Sequence, residues 1–273
     1  MNTASAIKWK KDLESWAIPQ EIIDQAEESP WIHPPVLFQI PDTITETVSH
    51  QKAKEALPEN GSVLDIGCGG GIAAFALAEK AKHVIGVDHQ AEMLIMFSEN
   101  AKKRGLKSEV HEGFWPAIAD EVKSADVVTC HHVVYNVQEI IPFLIALDNH
   151  ANKRVVIEMP IHHPLANMDK AWKYFWKLDR PTGPNPEDLM EVLKEIGITA
   201  NIQYWSGTMR QESNIEQAAE FMRIRLCLPK ERLPEVKEFL QNQPQASERE
   251  LATIWWDKNQ LKKPQRFCWG FLV

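Results

Sequence analysis

The stretch VLDIGCGGGIAAFALA, residues 63–78, reads as strand, glycine turn and helix in immediate succession. Asp65, Gly67, Gly69 and Gly71 form a DxGxGxG pattern. Glycines at these spacings let the backbone turn sharply and bring its amides close to a ligand at a helix N-terminus. Spacing separates the ligand classes. A dinucleotide dehydrogenase wants GxGxxG, but the sixth place counted from Gly67 is Ile72. No GK[ST] follows the turn, so the Walker reading also fails.

Outward from this turn, apolar runs of strand length alternate with helical patterns. SVLDI (62–66), HVIGV (83–87), SEVHE (108–112), ADVVTC (125–130) and RVVIEM (154–159) predict strands. GIAAFALAEKA, AEMLIMFSENAKKR and EIIPFLIALDNHA between them carry helix periodicity, and the alternation predicts an α/β fold with a parallel sheet. Asn185 and Pro186 signal the start of a further helix that Gly197 ends. ITANIQYW and QRFCWGFLV are expected as the last two strands, the second closing the chain. Three segments are surplus to the sheet: residues 1–57, expected as an N-terminal helical cap before a domain over 58–273, and helical insertions at 161–184 and 211–264.

The glycine turn with its acid resembles the first motif of class I S-adenosylmethionine-dependent methyltransferases. A second match is independent: GVDHQAEML places Asp88 at the end of the second strand, where a Rossmann-type sheet presents an acid to a ribose. The resemblance covers roughly Gly61 to Met159. It implies a Rossmann-like, doubly wound, mostly parallel seven-stranded sheet with an antiparallel last strand, and S-adenosylmethionine as cofactor. On this resemblance Asp65, Gly67, Cys68, Gly69 and Gly71 form the turn that holds the methionine end, while Asp88, His89 and Met93 meet the adenosine. Where the family usually carries Gly-Asp after the third strand, this chain has Gly113 followed by Phe114. Backbone groups at Phe114 and stacking by Trp115 are expected to replace the missing aspartate.

ADVVTC is the family's fourth strand, so TCHHVVYNV (129–137) opens at the mouth of the cleft. The resemblance puts the backbone of Cys130 beside the cofactor, and His131 packs next to it. His132 and Tyr135 are the candidates for acceptor contact or proton removal. Methyl transfer needs a free lone pair on the acceptor, and a general base contributes about 10²–10⁴-fold. His162, His163 and His33 could face the same cleft. Adjacent histidines diverge, however, and no carboxylate joins them in the sequence, so no metal is expected.

Several of the ten tryptophans, Trp9, Trp16, Trp31, Trp172, Trp176, Trp255 and Trp256 among them, lie outside the predicted sheet. Trp172, Phe175 and Trp176 share one helical face above the expected acceptor position. The helical additions are expected to serve as a lid or a dimer interface, and an aromatic-lined cavity suits a small organic molecule.

The net charge of −8 disfavours a nucleic-acid or membrane coat. The chain also has no NPPY or DPPY element after strand four, which disfavours methylation of exocyclic amines in DNA. Four scattered cysteines without a CxxC pair, no signal-like N-terminus and no long apolar run predict a cytoplasmic protein. The functional expectation is methyl transfer to an oxygen or nitrogen of a small organic substrate. The alternatives are a non-catalytic S-adenosylmethionine-binding regulatory or assembly protein and, opposed by Ile72, an NAD-dependent oxidoreductase.

Overall fold

Strand β1 (Gly61–Ile66) is buried on both faces, as a central parallel strand must be. Val63 points into one core and Leu64 and Ile66 into the other. The computed structural model describes residues 3–30, 40–208, 214–243 and 248–258. Three helices precede β1: α1 (Ala4–Glu14), α2 (Gln20–Ile23) and α3 (Val48–Ala56). After it come α4 (Ile72–Phe75), β2 (Ala81–Asp88), α5 (Ala91–Lys103), β3 (Lys107–Glu112), β4 (Ala125–His131), α6 (Ile140–His150) and β5 (Ala151–Pro160). The chain continues through α7 (Asp169–Trp176), α8 (Pro186–Glu195), β6 (Asn201–Thr208), α9 (Ile215–Arg225), α10 (Leu233–Gln241) and β7 (Glu248–Asp257).

The seven strands form one sheet in the order β3-β2-β1-β4-β5-β7-β6. Ladders among β1 to β5 are parallel, and β7 runs antiparallel to both β5 and β6. The order reverses beside β1, so the carboxyl ends of β1, β2 and β4 surround the crevice where such sheets bind ligands.

Two expectations need correction. The segment 211–264 does hold α9 and α10, but Glu248–Asp257 is strand β7, inserted between β5 and β6. Its run LATIWW lacks polar alternation because both faces are covered, and short apolar runs do not distinguish a strand from a buried helix. QRFCWGFLV lies outside the described residues. The helix after the glycine turn is also shorter than GIAAFALAEKA suggests, because β2 already begins at Ala81. The helix signalled at Asn185 forms as α8: Asn185 and Asp188 make a reciprocal capping box, and Gly197 follows with a φ of 82°.

Each face of the sheet has its own core. α1, α6 and α8 cover one, with Trp9 and Leu13 of α1 packed among β-strand residues, whereas α3 and α5 cover the other through Ala53, Leu57 and Phe97. Much of the N-terminal segment therefore belongs to the cores of the sheet. A third cluster joins Ile18 and Ile22 to Trp172 and Phe175 of α7, Ala219 of α9 and Val236 of α10.

Candidate active site

At the end of β1 the backbone folds back on β2. The amides of Gly67 and Cys68 donate to the Val87 carbonyl at 2.8 and 3.0 Å. Gly67 has a φ of 67°, and a Cβ there would lie 2.4 Å from a Val133 methyl. The turn and the loop after β4 thus approach so closely that only glycine fits. Gly69 and Gly71 also have positive φ, at 49° and 95°.

Asp65 sits beneath the turn, fully enclosed. Its carboxylate accepts from Thr129 Oγ1 at 2.9 Å and from the Ala74 amide at 3.3 Å. Burial raises its pKa to about 7, against the opposing pull of these two donors. Asp65 therefore braces the turn against β4. The Cys68 thiol is buried beside it and is pushed up by that burial.

Asp88 ends β2, and each of its oxygens takes one backbone donor: Gly69 N at 3.0 Å and Gln90 N at 3.0 Å. His89 Nδ1 also lies 3.5 Å from Oδ1; a carboxylate has about four acceptor positions, so room remains for a ribose hydroxyl. Beyond it the His89 and Phe114 rings stack with centroids 4.9 Å apart, and Phe114 is 70% exposed. Gly113 donates to the Asp88 carbonyl at 2.9 Å, which brings this ring pair to the rim. A glycine turn, a partly unsatisfied acid and an exposed aromatic pair fit S-adenosylmethionine. Met93 is 1% exposed and belongs to the core. Trp115 corrects the stacking expectation: its ring meets His150 of α6 edge-on at 4.8 Å and packs against the core under α6.

The mouth of β4 is polar but enclosed. Cys130 is fully buried, and burial raises its thiol. His131 stacks on His50 of α3 at 5.5 Å, and its Nε2 has no hydrogen-bond partner among the described residues. Burial holds His131 down at about 3, so it is neutral at physiological pH. His132 has a φ of 61°, a left-handed conformation costing a non-glycine residue about 1–2 kcal/mol. Its amide donates to the Glu158 carbonyl at 2.8 Å, which draws the turn onto β5.

Glu158 is the residue that sequence reading missed. It lies opposite His131 in the β4–β5 ladder and is 5% exposed. Oε1 is 3.0 Å from His132 Nε2, Oε2 is 4.0 Å from His131 Nδ1, and Thr47 Oγ1 donates to Oε2 at 3.4 Å. Burial opposes its charge, but His131, His132 and the Ser49 hydroxyl outweigh it and hold the carboxyl well below the usual range. Across β7, Arg249 Nη2 donates to the same His132 nitrogen at 3.0 Å. Neither residue lies in a motif: Glu158 sits near the end of the apolar strand β5, and Arg249 is the second residue of β7, in a segment expected as helix.

Of the two roles expected for Tyr135, acceptor contact or proton removal, its surroundings bear on the second. Its ring is partly buried and meets His163 edge-on with centroids 5.6 Å apart, and burial raises the phenol far above its ordinary value. It is not a proton acceptor near neutral pH. His163 in turn stacks on Trp16 at 4.2 Å and is held down to about 4 by burial. Arg180 lies over both Trp16 and Trp172, 5.1 Å from each ring, so the α7 aromatics pack around a cation within the third cluster. His33 lies outside the described residues. Among the described residues, no group of three or more His, Cys, Asp or Glu is arranged to hold a metal ion.

Residues 63–145 match the family described as "Methyltransferase domain", the same segment that carries the glycine turn, Asp88 and the β4 mouth. The chain is 30% identical over 114 residues to a ubiquinone biosynthesis O-methyltransferase of Azorhizobium caulinodans, covering 41% of this chain and 45% of that protein. The corresponding enzyme of Aliivibrio fischeri is 37% identical over 78 residues, 28% of this chain and 33% of its own. The matched portion thus spans less than half the length of these curated relatives. Among solved structures, YcgJ of Bacillus subtilis superposes with a TM-score of 0.52 at 16% identity, over 77% of this chain and 97% of that one, which shows the shared fold. Sheet order, site and the family match over residues 63–145 together mark that segment as a methyltransferase domain. No helix among the described residues is long and apolar enough to cross a membrane.

Proposed function

We propose that this chain methylates a small organic molecule, with a hydroxyl oxygen as acceptor. The observation that carries the reading is the coincidence of the methyltransferase family match with the β1–β4 site. The curated relatives are named O-methyltransferases, which favours oxygen over nitrogen. When bound, S-adenosylmethionine supplies an electrophilic methyl group, which a lone pair of the acceptor takes while the carbon–sulfur electrons return to sulfur.

The protein then has three tasks. The glycine turn and Asp88 hold the cofactor, with Gly113, Phe114 and His89 at its adenosine end and the Cys130–His131 backbone alongside. The third cluster, with Trp16, His163 and Tyr135, covers the acceptor and excludes water. His132 takes the proton released from the hydroxyl. Its Nδ1 supports that role, because it has no hydrogen-bond partner among the described residues and its lone pair is uncommitted there. Alignment of the two reactants supplies most of the remaining rate, about 7–11 kcal/mol for well-oriented reactions. The free, buried Cys68, Cys130 and Cys227 suit a cytoplasmic setting. Incubating the protein with methyl-labelled S-adenosylmethionine and a metabolite extract tests the reading. Protein-dependent label in a small molecule is expected, and its absence across broad extracts would leave a cofactor-binding module instead.

A further inference from the structure

One nitrogen of His132 faces two opposite charges. Nε2 lies 3.0 Å from Glu158 Oε1 and 3.0 Å from Arg249 Nη2. The two neighbours make incompatible demands. A guanidinium only donates, so its bond needs the Nε2 lone pair and places the ring proton on Nδ1. An ionised carboxylate only accepts, so it needs the proton on Nε2 and leaves a lone pair on Nδ1. Nδ1 itself is buried with no partner among the described residues, so none of these fixes the tautomer from that side. In such a case the partner of the opposite nitrogen decides.

We propose that Glu158 and Arg249 are opposed positioning residues that set the tautomer of His132. Glu158 favours the Nε2–H form, in which Nδ1 can take the acceptor's proton. Arg249 favours the Nδ1–H form, in which it cannot. The catalytic consequence rests on the methyl-transfer reading above, whereas the tautomer itself does not.

Both residues are built to stay where they are. Glu158 is tied to His132 twice, since its backbone carbonyl accepts the His132 amide at 2.8 Å while its side chain meets the ring. The opposing β7 position, Thr253, bonds Ser49 Oγ at 2.6 Å and Trp205 Nε1 at 2.9 Å, which closes the space behind the carboxylate. Arg249 arrives on β7 opposite Gly207; its Nε is buried without a partner among the described residues, and its one described side-chain hydrogen bond is the one to His132.

The proton balance then closes. As the hydroxyl oxygen forms its bond to carbon, the O–H electrons stay on oxygen and the proton moves to Nδ1. The ring becomes an imidazolium whose Nε2–H points at the Glu158 carboxylate. Arg249 places a second cation at the same nitrogen and so opposes this form of the ring.

The test reads the ring nitrogens of the full chain directly. In protein labelled with ¹⁵N-histidine, long-range proton–nitrogen spectra report which nitrogen carries the proton, and His132→Gln identifies the signals. Wild-type protein should show both tautomers. Arg249→Met should shift the ratio toward Nε2–H by about tenfold, and Glu158→Gln toward Nδ1–H by a similar factor. Unchanged nitrogen shifts in Arg249→Met would overturn the proposal, as would movement of both variants in one direction. Arg249→Met alone suffices if the buried Glu158→Gln does not fold. Failure of the methyl-transfer reading has its own signature: no protein-dependent label transfer from S-adenosylmethionine, while the nitrogen shifts of the variants still move as stated.

Discussion

The cofactor end and the acceptor wall meet along β4, yet they are assembled by different means. Around β1 and β2 the backbone does the work: amides of Gly67, Cys68, Gly69 and Gln90 make the shape, and Asp65 and Asp88 lock it. All of this falls within a single stretch of about thirty residues. The acceptor wall is made of side chains from α3, β4, β5 and β7, with His132 and Arg249 separated by 117 positions. A backbone-built site tolerates change in the side chains around it. A wall built from long-range side-chain contacts depends on each partner.

This contrast predicts that the two ends can be damaged separately. The largest effect belongs to the wall. His132→Gln should lower methyl transfer by about 10²–10⁴-fold in single-turnover assays with labelled cofactor, while calorimetry finds cofactor affinity unchanged. If affinity fell with rate, the two ends would not be independent. Asp88→Ala should do the reverse, weakening cofactor binding by about tenfold to a hundredfold, since it removes a charged hydrogen-bond acceptor. An unchanged dissociation constant would displace the ribose contact from β2. Gly67→Ala should damage both ends, because its new Cβ meets Val133 in the loop that carries His132. A loss of about 1–3 kcal/mol in urea unfolding is expected, together with weaker cofactor binding.

A smaller effect sharpens the electrostatic side. His50, His131 and His163 are all held below their ordinary values by burial, so the unfolded chain binds protons there that the folded one does not. Folded-state pKa values below the unfolded ones mean that stability is lost as pH falls through about 6.5 toward 4. Asp65, raised to about 7, has the opposite sign, because it binds its proton in the folded state and gains on acidification. Three histidines outweigh one carboxyl, so thermal midpoints should fall between pH 7 and 5. His131→Asn should reduce that slope, whatever it does to the midpoint itself. A slope unaltered in the variant would mean that His131 is not a buried neutral ring. The smallest change is expected for Tyr135→Phe, which should leave label transfer within a few-fold of wild type and its pH profile unmoved.

The same contrast explains what the sequence made legible. The strand–glycine–helix punctuation, the acid after β2 and the position of TCHHVVYNV are local signals, and the structure places them as their spacing implies. The Asn185–Pro186 cap is equally local, and α8 starts there. Glu158 was hidden because it ends the apolar run RVVIEM and gains its meaning from His131 and His132 on the neighbouring strand. Arg249 was hidden because β7 is covered on both faces and its sequence has no strand period. Trp115 and Tyr135 were read by residue type, which predicts neither which way a ring points nor how deeply it is enclosed.

The placement of β7 also has a consequence for the order in which the molecule can be made. The β5–β7 ladder joins Arg154 to Asp257 and Glu158 to Thr253, so β5 has no partner on one side until the ribosome has passed residue 257. The glycine turn, Asp88 and β4 are all synthesised well before that point. A growing chain can therefore complete its cofactor turn while Val155 and Ile157 still lie on an open, apolar strand edge. Long-range strand pairing of this kind is slow and leaves such edges open to wrong partners. The strand that delivers Arg249 to His132 is also the one that seals this edge, so the acceptor wall and the protection against mispairing arrive in the same folding event.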